Sequence, residues 1–188
     1  MSDNKNIESG EDYQGNSAEL SDISSKLDLL QELKDSEAVH TEEPQFQCVV
    51  IALDSTLYGI QLLSVREILK VPKITWLPCS PAFITGVISV RGNIQAVVDL
   101  KIFLQLGCSD TTDQSRIILV ESGELITGLL IDEMIDIITV PESAFIPFNE
   151  SAPNAAHGYL KGRLAWQDKQ LTLLNIDAIV QGVIVEQA

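Results

Sequence analysis

From Phe46 onward the hydrophobic positions come in short runs of Val, Ile, Leu and aromatic residues, cut at regular intervals by turn residues. Phe46–Leu53 and Thr56–Ile60 flank Asp54-Ser55 and predict a hairpin. Val65–Lys70 predicts a strand that stops before Pro72, and Lys73–Leu77 predicts another. Gly86–Val90 and Ile94–Val98 flank Arg91-Gly92-Asn93, residues suited to a tight turn because Gly and Asn tolerate positive φ. Asp99 is placed to cap a short helix through Leu104. Further strands are predicted at Arg116–Glu121, Leu125–Leu130, Met134–Val140, Tyr159–Trp166 and Lys169–Leu174, with a closing helix opened by Asn175 or Asp177. Few of these strands alternate cleanly. Val49–Ile51 and Ile117–Val120 are apolar throughout, so both of their faces are expected to be buried.

The pattern is also written twice. Moved forward by 69 residues, Gly59 falls on Gly128, Glu67 on Asp136, Ile68 on Ile137 and Val71-Pro72 on Val140-Pro141. Further along the offset is 76, which brings Gly86 onto Gly162 and Leu100 onto Ile176. The difference of seven fits an insertion in the polar segment 149–156. Two copies are too few for a solenoid and imply two similar β-subdomains with a seam between them, a place where binding surfaces often arise.

Residues 1–45 carry a different pattern. They are rich in Ser, Asp, Glu and Asn, with 12 acidic and 3 basic side chains, and this composition predicts disorder. Within them Leu20, Ile23, Leu27 and Leu30 recur at helical spacing, so residues 17–34 form a candidate amphipathic helix with Ser17 as its cap. It is read either as a frayed helix in a tail or as a docking helix. The folded part is expected over 46–182, with a short tail at 183–188.

A net charge of −15 with no basic stripe argues against nucleic acid as a partner and against an anionic membrane surface. No apolar run approaches the length of a membrane span and no leader pattern opens the chain, so direct membrane insertion is not expected and a cytoplasmic location is. Cys48, Cys79 and Cys108 are widely spaced, so they are read as small buried or half-buried thiols and as neither a disulfide framework nor a metal site. No phosphate-binding loop, nucleophile elbow or HExxH pattern is present, and His40 and His157 stand alone. Asp132 and Asp136 would share a face on a strand and could hold a cation, but Asp132-Glu133 falls where a turn is expected. The expectation is therefore no enzyme, no cofactor and no metal. Arg91 stands out, because an arginine at the edge of so apolar a hairpin is well suited to anchor an interface.

These residues resemble the CheW family of chemotaxis coupling proteins. The resemblance rests on Tyr58-Gly59-Ile60, Val65-Arg66-Glu67-Ile68, Leu77-Pro78, Pro81-Ala82-Phe83-Ile84 and the stretch Gly86–Leu100 around Arg91-Gly92. Arg116-Ile117-Ile118, Gly128–Asp132, Ile146-Pro147, Gly158–Gly162 and Leu173–Asp177 continue it, over about residues 46–182. Ser89-Val90 stand where the family has Asn-Leu, Ala96 stands where a proline is common, and the acidic extension is longer than in the simplest members.

The resemblance implies a mainly β fold of two five-stranded, SH3-like β-barrels sharing a core, and a protein that does no chemistry. It implies an adaptor between the cytoplasmic tips of methyl-accepting chemoreceptors and the regulatory domain of a CheA-type histidine kinase, recruited to receptor arrays at the inner membrane. By motif match Leu62, Val65, Glu67 and Arg91 lie along the receptor groove, with Met134 and Ile137 facing them. Gly59, Gly86, Gly92, Gly128 and Gly162 are structural. A flagellar and a twitching-motility member of the PilI type both fit. Two other readings are the coupling module of a CheV-like regulator with a separate receiver domain, and a hydrolase using a metal at Asp132 and Asp136. The acidic extension could also fold back over the groove.

Overall fold

The computed structural model describes residues 43–148 and 158–185, so the candidate helix at 17–34 lies outside the described residues. These residues belong to a unit that begins at Glu43. The strands are β1 (Gln45–Leu53), β2 (Thr56–Gln61), β3 (Val65–Lys70), β4 (Ile84–Val90), β5 (Asn93–Asp99), β6 (Arg116–Ser122), β7 (Leu125–Ile131), β8 (Glu133–Pro141), β9 (Phe145–Pro147), β10 (Leu160–Trp166) and β11 (Lys169–Leu174). Helix α1 (Leu100–Phe103) follows β5 and α2 (Ile176–Val185) closes the unit.

Two sheets form, as expected, with the orders β8-β1-β2-β11-β10-β9 and β3-β6-β7-β5-β4. The first has six strands instead of five because of the three-residue β9. Its counterpart in the first repeat, the expected strand Lys73–Leu77, is reduced to a single bridge between Thr75 and Val87.

The sheets do not correspond one to one with the repeats. The β1–β2 hairpin of the first repeat pairs with β8 and β11 of the second, while the β6–β7 hairpin pairs with β3 and β5 of the first. The exchange is symmetric at residue level. Val49 lies opposite Ile137, and Ile118, its repeat partner, lies opposite Ile68. The parallel pairing of Leu173 with Gly59 repeats as Val97 with Gly128. The two expected subdomains are therefore each built from both repeats. Each repeat thus supplies strands to both sheets, and its first hairpin finds both outer neighbours in the other copy.

This exchange explains why the central strands are apolar on both faces. Val49 and Ile51 of β1 and Ile118 and Val120 of β6 point into a large core shared by the two sheets. The intervening Cys48 and Val50 point into a smaller cluster with Leu164, Leu171 and Leu173. Ile117 and Leu119 point likewise into a cluster with Ile88, Val97 and Leu130. In the shared core Phe83 meets Phe103 edge to face at 5.3 Å between centroids, and Tyr159 packs tilted on Phe103 at 4.8 Å.

The repeat glycines mark close approaches. A Cβ on Gly59 would come within 2.6 Å of the Cys48 Sγ, and one on Gly128 within 3.0 Å of the Ile117 Cγ2. On Gly86 it would meet the Thr75 carbonyl oxygen at 2.3 Å, and on Gly162 the Ile146 carbonyl oxygen at the same distance. Thr75 and Ile146 are 71 residues apart, so part of the insertion assigned to 149–156 falls earlier, around the 3-10 turn Glu142–Ala144.

The Asp99 carboxylate caps α1, accepting from the amides of Lys101 and Ile102 and from Ser109. Asn175 caps α2 by accepting from the Ala178 amide. This helix runs past residue 182, and Val183 is buried, so the fold extends into the expected tail. Cys48 is buried as expected, but Cys79 and Cys108 are exposed because both sit in irregular connections outside the cores.

Candidate functional site

Arg91 occupies the first central position of the two-residue turn joining β4 to β5, with Val90 paired to Asn93. Its φ is 52° and that of Gly92 is 87°. Two successive positive φ values are the signature of the hairpin turn whose twist matches that of its strands. Glycine meets this demand at the second position; at the first an arginine is held in a region that favours Asn or Gly. The guanidinium projects into solvent, 79% exposed, and its Nη2 donates to Glu67 Oε1 at 3.1 Å.

Glu67 is brought there by a bulge in β3. The register against β6 slips between Val65 and Glu67, and Arg66 is the residue left over. Arg66 forms a two-bond ion pair with Glu121, with its Nη2 donating to Oε1 at 2.6 Å and its Nε to Oε2. The hydrogen bond from Arg66 holds the Glu121 carboxyl below the ordinary carboxylate range, and the same bond raises the Arg66 pKa. Arg66, Glu67 and Arg91 line a recess of about 300 Å³ together with the apolar Val90, Leu119 and Ile126.

The same bulge recurs in β8, where the register against β1 slips and Ile135 is the extra residue. In place of Arg66, Glu67 and Arg91 this half carries Ile135, Asp136 and Gln167. The Gln167-Asp168 turn keeps the positive φ values, 46° and 60°. The backbone frame is therefore duplicated, while the paired charges are present in one copy.

Of the expected partner-binding residues, the structure brings Glu67 and Arg91 into contact. Leu62, Val65 and Met134 are partly buried and pack against the shared core. Ile137 is 45% exposed on β8 beside the similarly exposed Ile135. A second recess of about 320 Å³ is lined by Phe46, Gln61, Leu62 and the almost fully exposed Leu63. Neither recess is lined by Val65, Met134 or Ile137.

One charged cluster had no signal in the spacing of the chain. The Lys101 side chain, 7% exposed, places its Nζ 2.6 Å from Asp54 Oδ1 and 3.3 Å from Asp132 Oδ2. Asp132 Oδ2 also accepts from the Asp54 amide at 2.8 Å. The hydrogen bond to Asp54 is the main cause of a raised Lys101 pKa. Asp132 is thus committed to a lysine, and Asp136 accepts from the Ile137 amide, so the two carboxylates do not make the shared site considered above. Among the described residues no group of three metal-ligating side chains is assembled.

A family model described as the CheW-like domain matches residues 47–183. The chain belongs to the CheW-like family. A probable chemotaxis protein CheW of Rhizobium etli is 31% identical over 122 residues, covering 65% of this chain and 79% of that protein. Protein PilI of Pseudomonas aeruginosa is 29% identical over 106 residues, covering 54% of this chain and 60% of PilI. The crystal structure of the scaffolding protein TtCheW of Thermoanaerobacter tengcongensis superposes with a TM-score of 0.67 at 29% identity, covering 72% of this chain and 92% of that one. No helix among the described residues is long and apolar enough to cross a membrane.

Proposed function

We propose that this CheW-like chain is a non-enzymatic coupling scaffold that links the cytoplasmic tips of chemoreceptors to a CheA-type histidine kinase, in the cytoplasm and at receptor arrays. The observation that carries the reading is the family match across 47–183. The exposed Arg91 supplies the chemistry for the receptor side. It is fixed by its turn and already pairs with a carboxylate, so a partner carboxylate presented on a receptor helix meets a preoriented donor. Leu62, Val65, Met134 and Ile137 are assigned to the apolar part of that contact. Modest individual affinities suffice for such a role, because an array adds them through multivalency.

The test is co-sedimentation of the purified protein with a membrane-anchored receptor tip, with and without the kinase regulatory domain. Binding by the parent chain that Arg91→Glu abolishes is the expected result. A parent chain that sediments with no receptor tip from its own cell would detach the fold from this function.

A further inference from the structure

At the end of the five-stranded sheet remote from the Arg91 turn, the register sets Lys70 directly opposite Arg116. Like charges facing each other across an antiparallel pair are destabilising. The pairing is conspicuous in a chain whose net charge is −15, where opposite charges are in ample supply. Yet among the described residues neither cation forms an ion pair; the four present involve other side chains. The Arg116 guanidinium is held in place through Nη1, which donates to the carbonyl oxygens of Asp113 and Ser115 at 2.8 Å each.

Both cations line a recess of about 660 Å³. Thr111 and Thr112 bring hydroxyls to the same recess, and Val71 and Pro72 give it an apolar wall. Ser115 is buried and occupied, since its Oγ accepts from the Thr112 amide at 2.9 Å. That bond fixes the loop carrying the threonines, so the recess is held by the backbone.

We propose that this recess binds a phosphoryl group borne by a small molecule. Two cations, Arg116 anchored and Lys70 free to reach the ligand, and the hydroxyls of Thr111 and Thr112 match the charge and the several acceptor oxygens of a phosphate monoester, whereas a lone carboxylate would neutralise only one of the cations. The volume exceeds that of the phosphoryl group alone and falls in the range of small-molecule sites, leaving Val71 and Pro72 for the organic part. Asp113 also lines the recess and opposes an anion. The negative charge of the chain does the same, so the affinity is expected to be modest and to fall with salt. The recess shares no residue with those assigned above to the receptor contact.

The test is calorimetric titration of the full chain with ribose 5-phosphate and, separately, inorganic phosphate, using ribose at matched ionic strength as the control. Lys70→Gln is the chosen variant because Lys70 makes no bond within the loop; Arg116 is left intact for the opposite reason. The expected result is saturable binding of the ester and at least about a tenfold loss in Lys70→Gln, equivalent to removing one charge-assisted bond. Stronger binding of the ester supports the proposal, and equal affinity for inorganic phosphate would overturn the part given to Val71 and Pro72 and leave a site for the free ion. Absence of saturable binding of both, or binding unchanged in Lys70→Gln with an unaltered melting temperature, overturns the proposal.

Discussion

Gly59 lies beside Leu173 in the parallel pairing of β2 with β11, and 69 residues later Gly128 lies beside Val97 in the matching pairing of β7 with β5. At both positions a strand of one repeat passes close to a strand of the other, and the missing side chain is what permits the approach. Gly59→Val and Gly128→Val should therefore both destabilise, each by about 1–3 kcal/mol as for overpacked cores. Gly59 is the tighter of the two, with a 2.6 Å approach to Cys48 Sγ against 3.0 Å to Ile117 Cγ2, so its variant should lose more. Urea unfolding midpoints measure both; two variants melting like the parent would sink this account of the repeat.

The Arg91 turn separates backbone from charge. Asn is at home in the left-handed region that Arg91 adopts, so Arg91→Asn should keep or raise stability, by up to about 1 kcal/mol, while removing the guanidinium. Arg91→Glu should keep the fold and place a carboxylate against Glu67. On the proposed role both variants lose receptor binding. Circular dichroism and the binding assay on the same preparations check this, and retained binding by Arg91→Asn would show that the charge is not the anchor.

Lys101 ties together the β1–β2 turn, α1 and the β7–β8 junction. Lys101→Met should cost about 1–3 kcal/mol, because the partly buried Asp132 loses its cation. Adding Asp132→Asn should recover part of the loss. The raised Lys101 pKa also fixes a sign. Its contribution is complete below the ordinary lysine value of 10.5 and is lost as pH rises through the higher folded value. Melting curves at strongly alkaline pH should converge for parent and Lys101→Met, and parallel curves would refute the link.

The thiols divide by environment. Burial pushes Cys48 up to about 12, while Cys79 and Cys108 are exposed. At mildly alkaline pH an alkylating reagent should modify Cys79 and Cys108 in the native chain and reach Cys48 only in denaturant. Mass spectrometry of the labelled peptides reads this directly, and equal labelling of all three would contradict the packing around Gly59.

Much of the fold was legible because its signals are local. The hairpin at Asp54-Ser55, the turn at Arg91-Gly92 and the caps at Asp99 and Asn175 each need only a few neighbouring residues, and all are found where the sequence puts them. Double burial of Val49–Ile51 and Ile117–Val120 was legible from missing alternation. The exchange of strands was not, since a repeat in sequence is equally consistent with self-contained halves. Lys101 was invisible for a related reason: its partners lie 47 and 31 positions away, at separations without periodic meaning. In the candidate site, Arg91 was distinguishable by its surroundings. Its contact with Glu67 depends on a bulge at Arg66 that no local residue announces.

The strand exchange bears on how such a chain came to exist. In this fold β1 and β2 take their neighbours from the other repeat, the arrangement that a two-fold dimer of half-length chains with swapped elements would have. Joining two such copies through the connection between α1 and β6 would turn an obligate pair into one chain and release the copies to diverge. The ion-paired rim around Arg91 and its counterpart of Ile135, Asp136 and Gln167, which has no arginine, are what that freedom permits. Severed in that connection, the two fragments should be unable to fold separately and should recover the fold when mixed.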